Sequence, residues 1–286
     1  MKTLAARRNA MKTLTVIFAI VTVMFAAWFF AEHNQRDELG RKHGHWIEFP
    51  EDEDVLVAKG HYVNGKRHGP WVERLTLFGG TDEGPYVDGK KHGHWVERDA
   101  DGNVWEGEYV DGKEHGHWVL RAASGFVMEG HFVEGRRHGH SVERWPNGSL
   151  LTEGPYVDGK RHGPWVERWY DGSEHEGTYL DDERHGHWVE HWGEASLFPD
   201  RVEEGLYVGG KKHGHWVGRD ADGDVVSEGA YVGGKKHGHW VETSLIDDVS
   251  EGTYVDGKKH GQWWFRRDPD GTGGYYLTYR NGNIIN

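Results

Sequence analysis

The sequence predicts an all-β fold, an elongated antiparallel meander of stacked β-hairpin repeats, preceded by one N-terminal hydrophobic helix. Three observations carry that expectation. The dipeptide His-Gly recurs at His43, His68, His92, His115, His138, His162, His185, His213, His237 and His260, in steps of 23 to 25 residues except for one of 28. A fixed period of that length marks a repeat architecture. After residue 31 aliphatic residues are sparse, so the apolar surface comes from Trp, Tyr and Val spread evenly along a Gly-rich chain. Finally, one uncharged apolar run stands alone near the N-terminus.

That run, Leu14 to Ala31, follows a basic segment, residues 1–13, holding Lys2, Arg7, Arg8 and Lys12. Its 18 residues suffice to span a bilayer as a helix, and the flanking cations predict a cytoplasmic N-terminus. A cleaved signal peptide is the competing reading. Phe29 occupies the −3 position for cleavage after Ala31, where a small residue is required, but a second start at Met11 gives an ordinary signal-peptide length. Both readings place the repeats on the extracytoplasmic side, periplasmic or extracellular, either anchored to the membrane or secreted. A linker (32–39), a repeat array (40–272) and a C-terminal capping segment (273–286) follow.

The unit reads E-G-x-Y-V-x-G-K-K-H-G-H-W-V-E-R, as in Glu83 to Arg98. Nine copies are nearly complete, and the half copy Gly40 to Trp46 opens the array. Atypical ends suit stacked repeats, because a terminal unit turns one face to water. Each copy holds two β-type stretches, G-x-Y-V and H-W-V-E-R. The segment x-G-K-K-H-G between them reads as a longer hairpin loop, and Asp101-Gly102 or Asp222-Gly223 between copies read as tight turns. Alternation puts Gly107 and Tyr109 on one face, and Gly116 and Trp118 likewise. A Gly beside each aromatic position lets a ring lie over bare backbone, so the Tyr/Trp column is the expected structural spine. Ser141 replaces Trp in one copy, and that layer is the expected weak point. Twenty strands at ~4.8 Å would extend over a distance on the order of 90–100 Å.

The G-K-x-H-G core, the preceding Tyr, the following Trp and the 23-residue period together resemble MORN repeats, the membrane occupation and recognition nexus, in their bacterial variant. The resemblance runs from Gly40 to about Trp264. It implies a hairpin stack used as a scaffold, with phospholipid or protein partners in some members.

Composition excludes several function classes. No cysteine is present, which removes disulfides, thiolate metal sites and Cys nucleophiles. The net charge of −13 disfavours nucleic-acid binding, which needs a basic footprint. Catalysis finds no unique constellation: each Ser, His and Asp belongs to the repeat or to a turn, so no enzyme and no cofactor is expected.

Charge geometry gives the sharpest candidate site. Eighteen of the 34 Lys and Arg sit in the x-G-K-K-H-G segments. They are Lys66, Arg67, Lys90, Lys91, Arg136, Arg137, Lys160, Arg161, Lys211, Lys212, Lys235, Lys236, Lys258 and Lys259, with Arg41, Lys42, Lys113 and Arg184. A meander would align them as a basic ridge for an anionic membrane or polymer surface; the alternative is charge that only keeps the sheet ends soluble. Seven His-Gly-His pairs offer either turn structure or imidazoles for Zn²⁺, Ni²⁺ or Cu²⁺. No carboxylate recurs at a ligand spacing, so no metal site is assigned. The 28-residue step contains an insert, His191 to Val202, whose Trp192, Leu197 and Phe198 are candidates for a partner-binding loop. The function expected is a non-catalytic scaffold outside the cytoplasm for protein or anionic-surface interaction. The alternative is a glycan or cell-wall binder stacking sugars on its aromatic rings.

Overall fold

The computed structural model describes residues 33–49, 55–75, 79–196, 199–244, 248–266 and 273–285. The predicted helix at 14–31 lies outside the described residues. Among those described there is no helix, and so none long and apolar enough to cross a membrane.

The chain forms two compact units, residues 1–123 and 124–286. The first contains β1 (Gly44–Glu48), β2 (Val55–Val63), β3 (Lys66–Leu75), β4 (Thr81–Val87), β5 (Lys90–Lys91), β6 (Gly93–Arg98), β7 (Val104–Val110) and β8 (Lys113–Arg121). The second begins with β9 (Val127–Val133), β10 (Arg136–Arg144), β11 (Leu150–Val157), β12 (Lys160–Arg161), β13 (Gly163–Arg168), β14 (Glu174–Leu180) and β15 (Glu183–His191). It continues with β16 (Val202–Val208), β17 (Lys211–Arg219), β18 (Val225–Val232), β19 (Lys235–Thr243), β20 (Val249–Val255), β21 (Lys258–Arg266), β22 (Gly274–Arg280) and β23 (Asn283–Ile284). Within each unit strands pair antiparallel with their neighbours in the chain, as in β2–β3–β4 and β15–β16–β17. Both units are therefore all-β meanders.

The two turn types are the reverse of the sequence expectation. The Lys pair already belongs to the ladder, with Val87 opposite Lys90 and Tyr86 opposite Lys91. Only Asp88-Gly89 remains for the turn, and both residues have positive φ, +50° and +84°. That is the type I′ hairpin whose twist matches that of the strands. The longer loop lies between copies: Gly102 donates its N–H to the Asp99 carbonyl, and Asp99 donates to Asn103. The His of His-Gly, read as loop, belongs to the ladder, and the Gly with the residue after it forms a bulge. Thr178 faces His185 and Gly177 faces Trp188, so two residues of β15 oppose no partner there. The Thr178 carbonyl, displaced from the ladder, accepts the indole N–H of Trp188 at 3.0 Å. The same bond recurs from Trp95 to Pro85 and from Trp240 to Ala230.

These bulges aim the indoles of Trp71, Trp95, Trp118, Trp165, Trp188, Trp216, Trp240 and Trp263 over the Gly of E-G-x-Y. A Cβ at Gly177 would lie 2.2 Å from Cδ2 of Trp188, and one at Gly84 2.2 Å from Cδ2 of Trp95. Tyrosines interleave edge-on: Tyr179–Trp188 at 5.1 Å, Trp188–Tyr207 at 6.0 Å and Tyr207–Trp216 at 5.3 Å in one unit, Tyr86–Trp95 at 5.1 Å in the other. Such pairs add to what ring burial alone contributes. The core of each unit is thus one ladder of rings, lying on one face of that unit's sheet. At the Trp-less copy Ser141 is buried, its hydroxyl donates to the Glu129 carbonyl, and buried Met128 fills the space a ring would take.

The exception supplies a control. Gly177→Ala is expected to cost about 1–3 kcal/mol in urea unfolding, because the indole has nowhere to move. A Cβ at Gly130 meets Ser141 Oγ at 3.1 Å, and Ser141 Cβ and Met128 Sδ only at ordinary contact distances of 3.5 and 3.9 Å. Gly130→Ala is therefore expected within about 1 kcal/mol of the parent, with part of any clash offset by the stiffer unfolded chain. Equal costs at the two sites would refute the ring-over-glycine account.

Candidate binding surface

The side chains on the ring face decide which cations remain available. In most copies the second residue of the Lys/Arg pair folds back over the indole and ends on a glutamate six residues later. Lys91 Nζ lies 4.2 Å from the Trp95 ring centroid and 2.6 Å from Glu97. Arg184 lies 4.1 Å over Trp188 and 2.7 Å from Glu190. Arg67 pairs with Glu73, and Lys236 with Glu242, in the same way. In these copies the indole is held between glycine backbone below and a cation above.

The next copy then adds to the same glutamate. Glu190 accepts Arg184, Lys212 at 3.0 Å and the Tyr207 hydroxyl at 2.8 Å. Glu167 accepts Arg161 at 3.1 Å, Arg184 at 2.9 Å and the Tyr179 hydroxyl at 2.7 Å. Burial alone would raise the Glu190 carboxyl, but Lys212 and the Tyr207 hydroxyl hold it below its ordinary range. The phenols shift the other way: burial, then neighbouring carboxylates, push Tyr231 up to about 12.

The fourteen candidate cations therefore divide in two. Arg67, Lys91, Arg137, Arg161, Lys212, Lys236 and Lys259 cover the rings. Lys66, Lys90, Arg136, Lys160, Lys211, Lys235 and Lys258 are exposed at the hairpin ends. They share those ends with turn acids such as Asp88, Asp158 and Asp256. Sequence reasoning missed the internal role of the second cation. Its signal is the pairing of Lys or Arg with Glu at a spacing of six, in seven of ten copies.

The opposite face is ordered differently. Valine and glutamate alternate across the strands: Val142 faces Glu153, Glu153 faces Val166, Val166 faces Glu176 and Glu176 faces Val189. Beside this row the second His of several pairs bonds a glutamate of the next strand, whereas His45 lies against His61. Examples are His94–Glu106 at 3.1 Å in one unit, and His215–Glu228 and His239–Glu251 at 2.9 Å in the other. The two His of a pair do not converge where the first turns toward the hairpin end, as His138 does to Asp158 at 3.8 Å while His140 turns to Glu153 at 2.9 Å. Among the described residues no group of three or more His, Asp or Glu is placed to hold a metal ion.

At the insert a cleft of about 870 Å³ is bounded by Tyr170, Glu174, Glu176, His191, Trp192 and Arg201. Trp192 is half-buried rather than exposed, with its ring 5.2 Å from that of His175. Leu197 and Phe198 lie outside the described residues. His175 is itself buried between Trp169 and Trp192. Burial holds its imidazole below the usual range and outweighs the opposing pull of Glu190; Arg184 acts in the same sense as burial. A lowered folded value means that stability is full above about pH 6.5 and is lost as pH falls through the folded value. His175→Phe is therefore expected to lose less stability between pH 7.5 and 5.5 than the parent, as read from urea midpoints. An unchanged loss would exclude His175 as a source of the acid sensitivity.

Comparison with known proteins adds a family. The sequence model of the MORN repeat matches seven segments, residues 59–70, 83–104, 105–119, 129–150, 153–174, 228–239 and 251–262. Among solved structures the chain is similar to BamB from Moraxella catarrhalis, with 14% identity and a TM-score of 0.15 over 84% of this chain and 86% of that one. It is also similar to the computationally designed Ika8 protein, with 12% identity and a TM-score of 0.16 over 74% of this chain and 84% of that one. Structural likeness that slight carries nothing about function. No curated protein matches the chain.

Proposed function

The chain belongs to the MORN repeat proteins, and from that premise we propose that it is a non-catalytic scaffold docking a protein partner along its Val/Glu/His face, on the outer side of a membrane. One observation carries this reading. The ring face is consumed by the fold, whereas the other face repeats Val and Glu at every second strand, on the order of 10 Å apart, with His beside them in seven copies and Pro70, Pro164 or Gln262 in the others. A regular outward comb is what an extended partner can read, and a repeat scaffold needs no unique site. The apolar run 14–31 behind four cations supports the outer location.

The glycan reading loses its main support, because the spine indoles from Trp71 to Trp263 are buried. Among the described residues the exposed rings left for it include Trp169 and Tyr170 in a loop and Tyr275 and Tyr276 on β22. The exposed cations at the hairpin ends favour a second form of the scaffold reading, contact with an anionic surface.

Photocrosslinking from benzoylphenylalanine at Val96, Val166 and Val241 tests the protein form. Discrete adducts are expected, and their loss when the neighbouring His and Glu become Ala. Silence at all three positions would reject it. Flotation of the full chain, held in neutral-lipid nanodiscs, with anionic vesicles tests the second form: capture at low salt should vanish at high salt.

A further inference from the structure

The cation cover is interrupted at one layer. Nine of the ten copies place Lys or Arg before His-Gly, but the copy at β8 places Glu114 there. Two further positions change with it. Leu120 stands where Glu97 stands one copy earlier, and Trp105 stands where Asp82 does. In the intact layers a glutamate receives its own cation, the next tyrosine hydroxyl and the next copy's cation. Glu97 receives Lys91 at 2.6 Å and the Tyr109 hydroxyl at 3.0 Å. Where the third partner would arrive stands another carboxylate.

Asp82, Glu97 and Glu114 therefore share Lys91 as their near cation, with Lys91 3.5 Å from Asp82. Glu114 is held by the indole N–H of Trp105, which donates to it at 3.3 Å. Burial raises both the Asp82 and Glu114 carboxyls, and Glu97 adds to each shift while Lys91 opposes it. A cleft of about 390 Å³ opens beside this group. Its walls combine the carboxylates of Asp82, Glu97 and Asp99 with the apolar surfaces of Trp105, Leu120 and Ala122, and Arg98 and Asn103 complete the lining.

We propose that this cleft binds a single organic cation, an ammonium or guanidinium group on an alkyl stem. The charged head would meet Glu97 and Asp82, and the stem would lie on Trp105 and Leu120. The repeat itself indicates this chemistry, because the copies of Arg67, Lys91, Arg184 and Lys236 each supply a cation whose stem crosses an indole and whose head ends on a carboxylate. Apolar walls and the lack of a three-ligand group argue for an organic cation over a metal ion. The site stands whether or not the scaffold has a protein partner.

The test uses the full chain in micelles of an uncharged detergent, labelled with 5-fluorotryptophan, with the Trp105 ¹⁹F resonance identified from Trp105→Phe. Titration with n-butylammonium represents a free amine; titration with N-acetyl-arginine methylamide represents a side chain on a peptide. At least one should shift the Trp105 resonance saturably, beyond the effect of NaCl at equal ionic strength, and the tighter of the two identifies the source. Glu114→Lys supplies the missing internal cation and should weaken binding about tenfold or more, in line with one desolvated cation–ring contact. Glu114→Gln, nearly isosteric, should weaken it by less and serves if the Lys variant fails to fold. The proposal is overturned if neither probe saturates, or if both folded variants bind as the parent does.

Discussion

Trp188→Ala is expected to lower the unfolding free energy by about 3–5 kcal/mol, the largest effect of any single ring truncation here. The indole has 0% exposure. It rests on Gly177, sits edge-on to Tyr179 and Tyr207, lies 4.1 Å beneath Arg184 and donates to the Thr178 carbonyl. Truncation removes all of these contacts and leaves the Thr178 carbonyl of a bulge without its donor. Collapse cannot fill the gap, because the floor is backbone and carries no side chain that could swing in. Repeats couple to their neighbours, so the layers of Trp165 and Trp216 should loosen too, and amide exchange should rise in β13 and β17. Trp169→Ala is the comparison: that ring is 40% exposed, and its loss should cost no more than about 1 kcal/mol. Similar urea midpoints for the two variants would mean that the ring ladder is not the core.

How much of this was legible in the sequence follows from which features repeat. The ring ladder was legible because Gly and Trp recur at fixed spacing, and alternation alone puts Gly107 and Trp118 on one face. Strand pairing was legible for the same reason. The turns were not, because Asp88-Gly89 and Asp101-Gly102 are the same dipeptide. What separates them is their neighbours: Lys90 and Lys91 continue a ladder, whereas Asp99 and Asn103 close a longer loop on themselves. Charge was the least legible. Adjacent cations such as Lys90 and Lys91 look alike in a string of letters, yet strand alternation sends one outward and the other over Trp95. A ridge counted from sequence therefore includes both, while the structure leaves about half of it exposed. The copy with Glu114 and Leu120 breaks the pattern twice at a spacing of six, which was visible but had no meaning before the cation cover was known.

Glu190→Ala is the second large effect expected, about 3 kcal/mol. The carboxylate is 3% exposed and receives Arg184, Lys212 and the Tyr207 hydroxyl. Removing one member of a buried ionic group leaves the others desolvated, which commonly costs about 3–5 kcal/mol. The lower end applies because Arg184 keeps Glu167 at 2.9 Å and Lys212 keeps Glu203 at 2.7 Å. Acid should reveal the same residue in the parent. Its carboxyl is held below its ordinary value near 4.5, so its contribution is complete above that pH and disappears as pH falls through the folded value. Glu190→Ala should accordingly show a shallower acid limb, with its deficit against the parent shrinking toward pH 3. A deficit that stays constant with pH would assign the loss to packing instead of charge. Replacing Glu190 by Leu together with Lys212 by Met should then recover part of the loss, because an apolar pair removes the stranded cation as well as the carboxylate.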